Sequence, residues 1–226
     1  MKQIYLDTET TGTDPSVNGV WQIAGMIVLG KTVIPFNYKM SPFTGDIIEP
    51  VALEMSGMTE EELFKLPYPV NVHREFTALM GKHVNKYDKF DKFIFYGYNA
   101  RFDSNFLREW FSKCGDKYFG SWFWTPPVDL MSTAAFFLGR ERSRMPNFKL
   151  ETVVKYLGIT LDKEGSFHDA SIDIAYTYKL ARRLRRFIKI PNNDQYYCAG
   201  HPMDDGRLPK LEDIVLPEAG EEQSGE

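Results

Sequence analysis

The chain has 226 residues, 43% hydrophobic and 26% charged, which is enough apolar sequence for one well-buried domain with an appendage. No apolar run is long enough to cross a bilayer, and the N-terminal residues lack the layout of a signal peptide, so we expect neither a membrane protein nor a secreted one. Two cysteines give no disulfide framework, and their scarcity predicts a cytoplasmic protein.

The net charge of −4 argues at first against a polyanionic partner, but the charge is unevenly distributed. Residues 204–226 contribute −6, which leaves +2 on the rest of the chain. A basic cluster lies within that remainder, and it consists of Lys179, Arg182, Arg183, Arg185, Arg186 and Lys189. Such a cluster is usually a solvated helix face, but it is also compatible with local binding of a phosphate backbone.

The first stretch with chemical character is residues 4–12, an apolar run that ends in two carboxylates. Successive side chains of a strand point to opposite faces, so Asp7 and Glu9 are predicted to project the same way. Their mutual repulsion would be relieved by a hard divalent cation. The alternative is a strand that ends in an ordinary polar turn.

The elements that follow predict a mixed α/β fold. Two strands, 21–29 and 31–40, complete an antiparallel meander with a turn at Gly30, and Pro35 predicts an edge position or a bulge for the second of them. Thr59 and Glu62 form a capping box at the start of a short helix. The remaining predictions are a helix in 71–87, a central strand at 93–98, a helix from about Asn99 to Gly115, helices at 128–138 and 150–157, and a last helix from 168 to Pro191.

Polar groups interrupt this pattern at the starts of two helices. Asp103 directly follows the central strand, while His168 and Asp173 open the last helix. Singly, each acid is explained by the helix dipole and the histidine by a loop position. The aromatic run 122–124 is expected to lie in the core or to plug an exposed loop, with a stacking platform as the alternative.

Three segments resemble the exonuclease motifs of the DnaQ-like (DEDDh) 3′–5′ exonucleases, which include the proofreading ε subunit of bacterial DNA polymerase III. They are residues 6–12, 99–107 and 168–173, and their order matches, as do the four residues between His168 and Asp173. The similarity covers roughly residues 1–187. It implies an RNase H-like fold, a mixed five-stranded sheet flanked by helices, in a domain of residues 1–190, followed by a Pro-containing acidic C-terminal tail at 191–226.

The resemblance also implies a chemistry. Two Mg²⁺ ions, for which Mn²⁺ substitutes, would be held by Asp7, Glu9, Asp103 and Asp173, and His168 would accept the proton of the attacking water. The substrate would be a 3′ end of single-stranded DNA, and the products nucleoside 5′-monophosphates. Contacts to the terminal nucleotide are implied for Thr10, Thr11, Gly12, Met55 and Phe102.

Two departures from the family pattern concern the nucleotide pocket, because Tyr98 and Ser56 stand where many relatives have histidine. They leave the preference for DNA or RNA open. An exoribonuclease of the RNase T or oligoribonuclease type and a non-catalytic polymerase-associated module are the alternatives. Asp129 resembles an aspartate common in the family, and no metal role is assigned to it. The tail is expected to be either inert or a contact for a polymerase or another protein, with no membrane partner.

Overall fold

The computed structural model describes residues 1–160 and 170–186. Its centre is a sheet in which, within those ranges, five strands are ordered β3-β2-β1-β4-β5. The strands are β1 Lys2–Thr10, β2 Val20–Leu29, β3 Thr32–Lys39, β4 Ile94–Gly97 and β5 Val128–Asp129. This arrangement confirms the expected mixed five-stranded sheet.

The first three strands form the predicted antiparallel meander. Gly30 makes the turn between β2 and β3 with a φ of 61°, a conformation that glycine adopts without steric penalty. Pro35 lies in β3, which is an edge strand, so its missing N–H interrupts no ladder on the open side. The local chemistry of this region was therefore sufficient to predict its structure.

The two remaining strands run parallel to β1, and the last of them was not predicted. β4 pairs with β1, and β5 pairs with β4 through Tyr96 with Val128 and Gly97 with Asp129. The sequence predicted a helix from residue 128, but the helix begins only at Leu130. A two-residue strand is too short to show an alternation of polar and apolar side chains. It can be recognised only by its pairing with β4.

Helices cover both faces of the sheet. Their bounds are α1 Pro50–Ser56, α2 Glu60–Lys65, α3 Pro69–Gly81, α4 Ala100–Lys113, α5 Phe119–Trp122, α6 Leu130–Phe137, α7 Leu150–Tyr156 and α8 Ala170–Arg185, with a 3₁₀-helix at Gly139–Arg144. On one face Ile4 and Leu6 of β1 pack in a cluster with Phe76 of α3 and Phe106 of α4. On the other face Tyr5 packs with α6, α7 and α8.

Several helix ends follow the predicted signals. The capping box of Thr59 and Glu62 is present at α2, and Gly115, with a φ of 79°, follows the end of α4. The predicted helix in 71–87 differs, because α3 begins at Pro69 and ends at Gly81. Proline is favoured in the first helical turn, and Val84 reaches the core from a loop, so its apolar spacing needed no helix.

The start of the last predicted segment, which includes His168, lies outside the described residues, as do Pro191 and the tail. Within the described ranges, no helix has both the length and the apolar character needed to traverse a bilayer.

Candidate active site

The carboxyl end of β1 carries the first two predicted ligands. Asp7 and Glu9 alternate with Thr8, and both are half-buried. By the same alternation they share a face with Tyr5, whose ring contacts that of Tyr178 on α8 at a centroid distance of 5.1 Å. The pairing register of β1 with β2 shifts directly after Glu9, an irregularity that often re-aims side chains beside functional sites.

Asp103 approaches the carboxyl end of β1 from the other face of the sheet. Because β4 is parallel to β1, its carboxyl end lies at the same edge, and α4 begins three residues after β4. Asp103 lies in the first turn of α4 with 3% of its surface exposed. Its Oδ1 accepts hydrogen bonds from the Thr8 backbone N (2.9 Å) and the Thr8 hydroxyl (2.8 Å). These bonds join the ends of two segments 95 residues apart in the chain.

Asp173 completes a group of four acids from the first turn of α8. The pKa of Asp7 is raised well above its usual value, first by burial and then by the charges of Asp103, Glu9 and Asp173. Burial also raises the pKa of Asp103, although its bonds from Thr8 oppose that rise. The structure therefore brings the four predicted carboxylates near enough for their charges to act on one another.

This donor set fits a hard divalent cation in its chemistry. Buried carboxylates that repel one another are stabilised by a cation, and oxygen ligands suit Mg²⁺ or Mn²⁺. As they lie, however, no three Asp, Glu, His or Cys side chains within residues 1–160 and 170–186 form a ready coordination group. Asp103 is turned toward Thr8, so binding a cation requires side chains of the group to rotate. The assignment of individual ligands, and of His168 as a base outside the described residues, stays a prediction.

Thr10, Thr11 and Gly12 follow β1 and are held within the fold. The Thr11 hydroxyl donates to the carbonyl of Ile47 (2.7 Å) and accepts from the N–H of Gly19 (2.8 Å), and the residue is buried. The Thr10 hydroxyl donates to the Gly12 carbonyl at 2.6 Å. A Cβ at Gly12 would collide with the side chains of Glu49 and Asn18, so close packing requires glycine there. Any nucleotide contact by these residues stays a prediction.

The two predicted hydrophobic contacts differ in their exposure. Met55 on α1 is 67% exposed, so its side chain is open to a ligand. Phe102 is half-buried and packs on the ring of Phe106 at a centroid distance of 4.8 Å. Phe102 therefore contributes to the core, and a nucleotide contact by either residue stays a prediction.

Sequence reasoning missed the structural role of Asp129. Its Oδ1 accepts from the N–H of Asn99 (2.9 Å) and of Met131 (3.0 Å), and its Oδ2 accepts from the Ser132 hydroxyl (2.6 Å). Asn99 has a φ of 64° and immediately precedes α4, so Asp129 holds the turn that orients Asp103. The N-cap position of Asp129 before α6 was the available signal.

Several side chains of the predicted basic cluster form contacts within the fold. Arg185 donates from Nη2 to the hydroxyl of Tyr96 at 3.0 Å, and the guanidinium of Arg182 lies 5.9 Å from the centre of the Tyr178 ring. Lys179 donates to the carbonyl of Thr160 at 2.6 Å. These basic groups therefore have partners within the chain.

Comparison with known proteins agrees with this geometry. The sequence profile of the exonuclease family matches residues 4–181. The chain is 27% identical over 191 residues to the PolC-type DNA polymerase III of Bacillus cereus, covering 82% of this chain and 12% of that protein. It is 27% identical over 190 residues to the 3′-5′ exonuclease DinG of Staphylococcus aureus, covering 82% of this chain and 18% of that protein. The chain thus spans less than a fifth of the length of these relatives.

The fold is also similar to solved structures. Escherichia coli exonuclease I in complex with a dT13 oligonucleotide superposes with a TM-score of 0.63 at 23% identity, covering 86% of this chain and 43% of that chain. This similarity identifies the sheet and its helices as an RNase H-like fold. With a family profile that covers most of the described residues and three motifs in the order of the DnaQ-like enzymes, the chain belongs to the exonuclease family.

Proposed function

We propose that this domain is a divalent-metal-dependent 3′–5′ exonuclease that hydrolyses single-stranded DNA from its 3′ end and releases nucleoside 5′-monophosphates. The observation that carries the proposal is the group of four carboxylates at the ends of β1, α4 and α8, in which the charges of three raise the pKa of the fourth. Acids that repel one another in this way are suited to binding metal ions rather than to folding stability.

The proposed chemistry assigns one task to each group. When bound, Mg²⁺ lowers the pKa of a coordinated water and neutralises charge on the phosphate. Asp7, Glu9, Asp103 and Asp173 would hold the ions. His168 takes the proton from the attacking water, because an imidazole titrates near neutral pH. In the sequence His168 precedes Asp173, the fourth acid, by five residues.

The preference for DNA is supported by relatives rather than by the pocket. Exonuclease I binds a dT13 oligonucleotide, and the relatives in Bacillus cereus and Staphylococcus aureus are a DNA polymerase and the exonuclease DinG. Residues 191–226 are proposed as a contact for a polymerase or another protein, since exonuclease I also forms a complex with SSB-Ct. The competing function is digestion of RNA, which depends on how the pocket treats the 2′-hydroxyl.

The test uses 5′-labelled dT20 and U20 with Mg²⁺, Mn²⁺ or EDTA. We expect a ladder of products shortened from the 3′ end with either metal, faster on dT20, and no cleavage in EDTA. Asp7→Ala should lose activity by at least roughly 10²-fold, the lower range for loss of a positioned catalytic group. Glu60→Ala, at an exposed acid on α2, is the matched control and should behave as wild type. Cleavage by Asp7→Ala at the wild-type rate would overturn the proposal, and faster digestion of U20 would assign the activity to RNA.

A further inference from the structure

The loop between α3 and β4, residues 82–92, carries a surface that the proposed active site does not use. We call it the lysine–aromatic loop. It contains the lysines Lys82, Lys86, Lys89 and Lys92. Two aromatic rings project from it, with Tyr87 88% exposed and Phe90 72% exposed. Large exposed rings on one short segment point to an interaction surface, since folding leaves them in water.

The acids of this loop have other partners. Asp91 forms an ion pair with Lys2 (2.5 Å) and accepts from the N–H of Asn85 (2.9 Å). Asp88 accepts from the N–H of Phe90 at 2.9 Å. Among the described residues, no carboxylate forms an ion pair with any of the four lysines of the loop. The loop therefore presents net positive charge to solvent.

Three of the four lysines lie beside aromatic rings instead. The Lys89 ammonium is 4.8 Å from the centre of the Phe90 ring, and that of Lys86 is 5.5 Å from Tyr87. Lys86 is also 5.6 Å from Trp122, with which it lines a groove of about 490 Å³. The surface continues beyond the loop, because Lys92 lies 5.5 Å from the half-exposed ring of Trp124.

Single-stranded nucleic acid has the chemistry that this surface matches. Its phosphates attract ammonium groups, and its bases stack on aromatic rings whatever their sequence. Lysine–aromatic pairs recur at 86–87 and 89–90, so charge and stacking surface alternate along the loop. An acidic peptide would satisfy the lysines but would leave the exposed faces of the rings without an equivalent partner.

The loop lies at the opposite end of the sheet from the carboxylates. It leads into the start of β4, and Asp91 ties it to Lys2 at the start of β1. From Lys2 to Asp7 the strand advances by roughly 17 Å, at about 3.4 Å per residue. A strand whose 3′ end lies at the carboxylates must therefore extend over several nucleotides to reach the loop.

We propose that the lysine–aromatic loop is a second binding surface for single-stranded nucleic acid, which holds the strand upstream of the 3′ end during digestion. This inference rests on the proposed function for its direction along the strand. It predicts that long oligonucleotides bind better than short ones, and that the difference comes from this loop.

The test compares the full chain with the quadruple variant Lys86→Gln, Lys89→Gln, Tyr87→Ala and Phe90→Ala. A control removes one exposed lysine and one exposed ring elsewhere, through Lys31→Gln in the β2–β3 turn and Phe136→Ala on α6. Binding of fluorescent dT20 is measured by anisotropy in EDTA, which requires no catalysis. Cleavage of dT20 and of the dinucleotide dTdT is then followed with Mg²⁺.

We expect the quadruple variant to bind dT20 at least roughly tenfold more weakly, given the size of base–aromatic stacking. Its affinity should also fall less steeply with salt, because two phosphate contacts are lost. The KM of the quadruple variant for dT20 should rise, while its kcat on dTdT should equal that of the wild type. The control variant should behave as the wild type does in each measurement. An unchanged affinity of the quadruple variant for dT20 would overturn the inference. So would a variant that still binds dT20 as the wild type does but no longer binds a polyglutamate peptide that the wild type binds. Absence of cleavage by the wild type would refute the proposed function alone, since the EDTA binding result stands independently.

Discussion

Replacing Asp129 by alanine tests whether a residue to which no metal role is assigned positions the active site. The change removes the acceptor of three hydrogen bonds, from the N–H groups of Asn99 and Met131 and from the Ser132 hydroxyl. The first of these holds the residue that precedes α4, and Asp103 lies in the first turn of that helix. We therefore expect both stability and activity to fall.

The size of the stability loss follows from these bonds. Loss of an N-cap side chain costs typically about 1 kcal/mol. Loss of the bond to Asn99 costs about another 1 kcal/mol, since the acceptor is a carboxylate but the donor can be rehydrated. A free energy of unfolding lower by about 2 kcal/mol corresponds to a melting temperature lower by roughly 4–8 °C for a domain of this size. Removing the charge of Asp129, which raises the pKa of Asp103, offsets a part of this loss.

The assay pairs thermal unfolding in EDTA with kcat on dT20 in Mg²⁺. A misplaced Asp103 should lower kcat by roughly 10- to 100-fold, because small displacements of reacting groups have effects of that order. Asp129→Asn keeps an oxygen that accepts from both backbone N–H groups, so it should melt and turn over nearly as the wild type does. If Asp129→Ala melts within 1 °C of the wild type, or if the asparagine variant is as slow as the alanine variant, the positioning role is refuted.

Four further predictions concern the acids and their surroundings. Asp7→Asn should raise the melting temperature of the metal-free protein, because it removes one of the mutually repelling charges, and should abolish activity; a lower melting temperature in EDTA would contradict this. The pKa values of Asp7 and Asp103 are raised in the folded state, so the folded chain binds protons more tightly than the unfolded one. The contribution of these two acids to stability in EDTA should therefore be greatest below an unfolded pKa of roughly 4 and be lost as the pH rises through the raised values. Adding Mg²⁺ at 100 times its dissociation constant should restore about 2.7 kcal/mol at pH 8, measured as a higher melting temperature than in EDTA. Tyr98→Phe removes the hydrogen bond to the carbonyl of Phe148 (2.5 Å) and should lower the unfolding free energy by about 1 kcal/mol without altering kcat.

Local signals in the sequence were sufficient for much of the fold. The alternation in β1, the turn at Gly30 and the capping box of Thr59 depend on neighbouring residues alone, and each was predicted correctly. β5 was missed because its two residues are a strand only by pairing with Tyr96 and Gly97. Likewise the end of α3 was predicted too late, since Val84 packs in the core from a loop as well as it would from a helix.

The candidate site divides in the same way. Motif spacing identified Asp7 and Asp103 as members of one group, and the structure brings them together. The bonds from Thr8 to Asp103 were beyond reach, because they join residues 95 positions apart and depend on how α4 is set against β1. The lysine–aromatic loop was hidden for another reason, since the helix predicted in 71–87 extended over its first half, whereas α3 ends at Gly81.

The two edge strands of the sheet have a consequence for how the protein behaves at high concentration. An exposed edge strand offers unpaired N–H and C=O groups with which a strand of another chain can pair. Such pairing is a usual route to fibrils and domain-swapped dimers. At one edge of the sheet, Pro35 lies in the middle of β3 and lacks the backbone N–H that another residue would offer. On the other side β5 is too short to template a partner strand. We therefore expect self-association by strand addition to be disfavoured, and Pro35→Val to promote it.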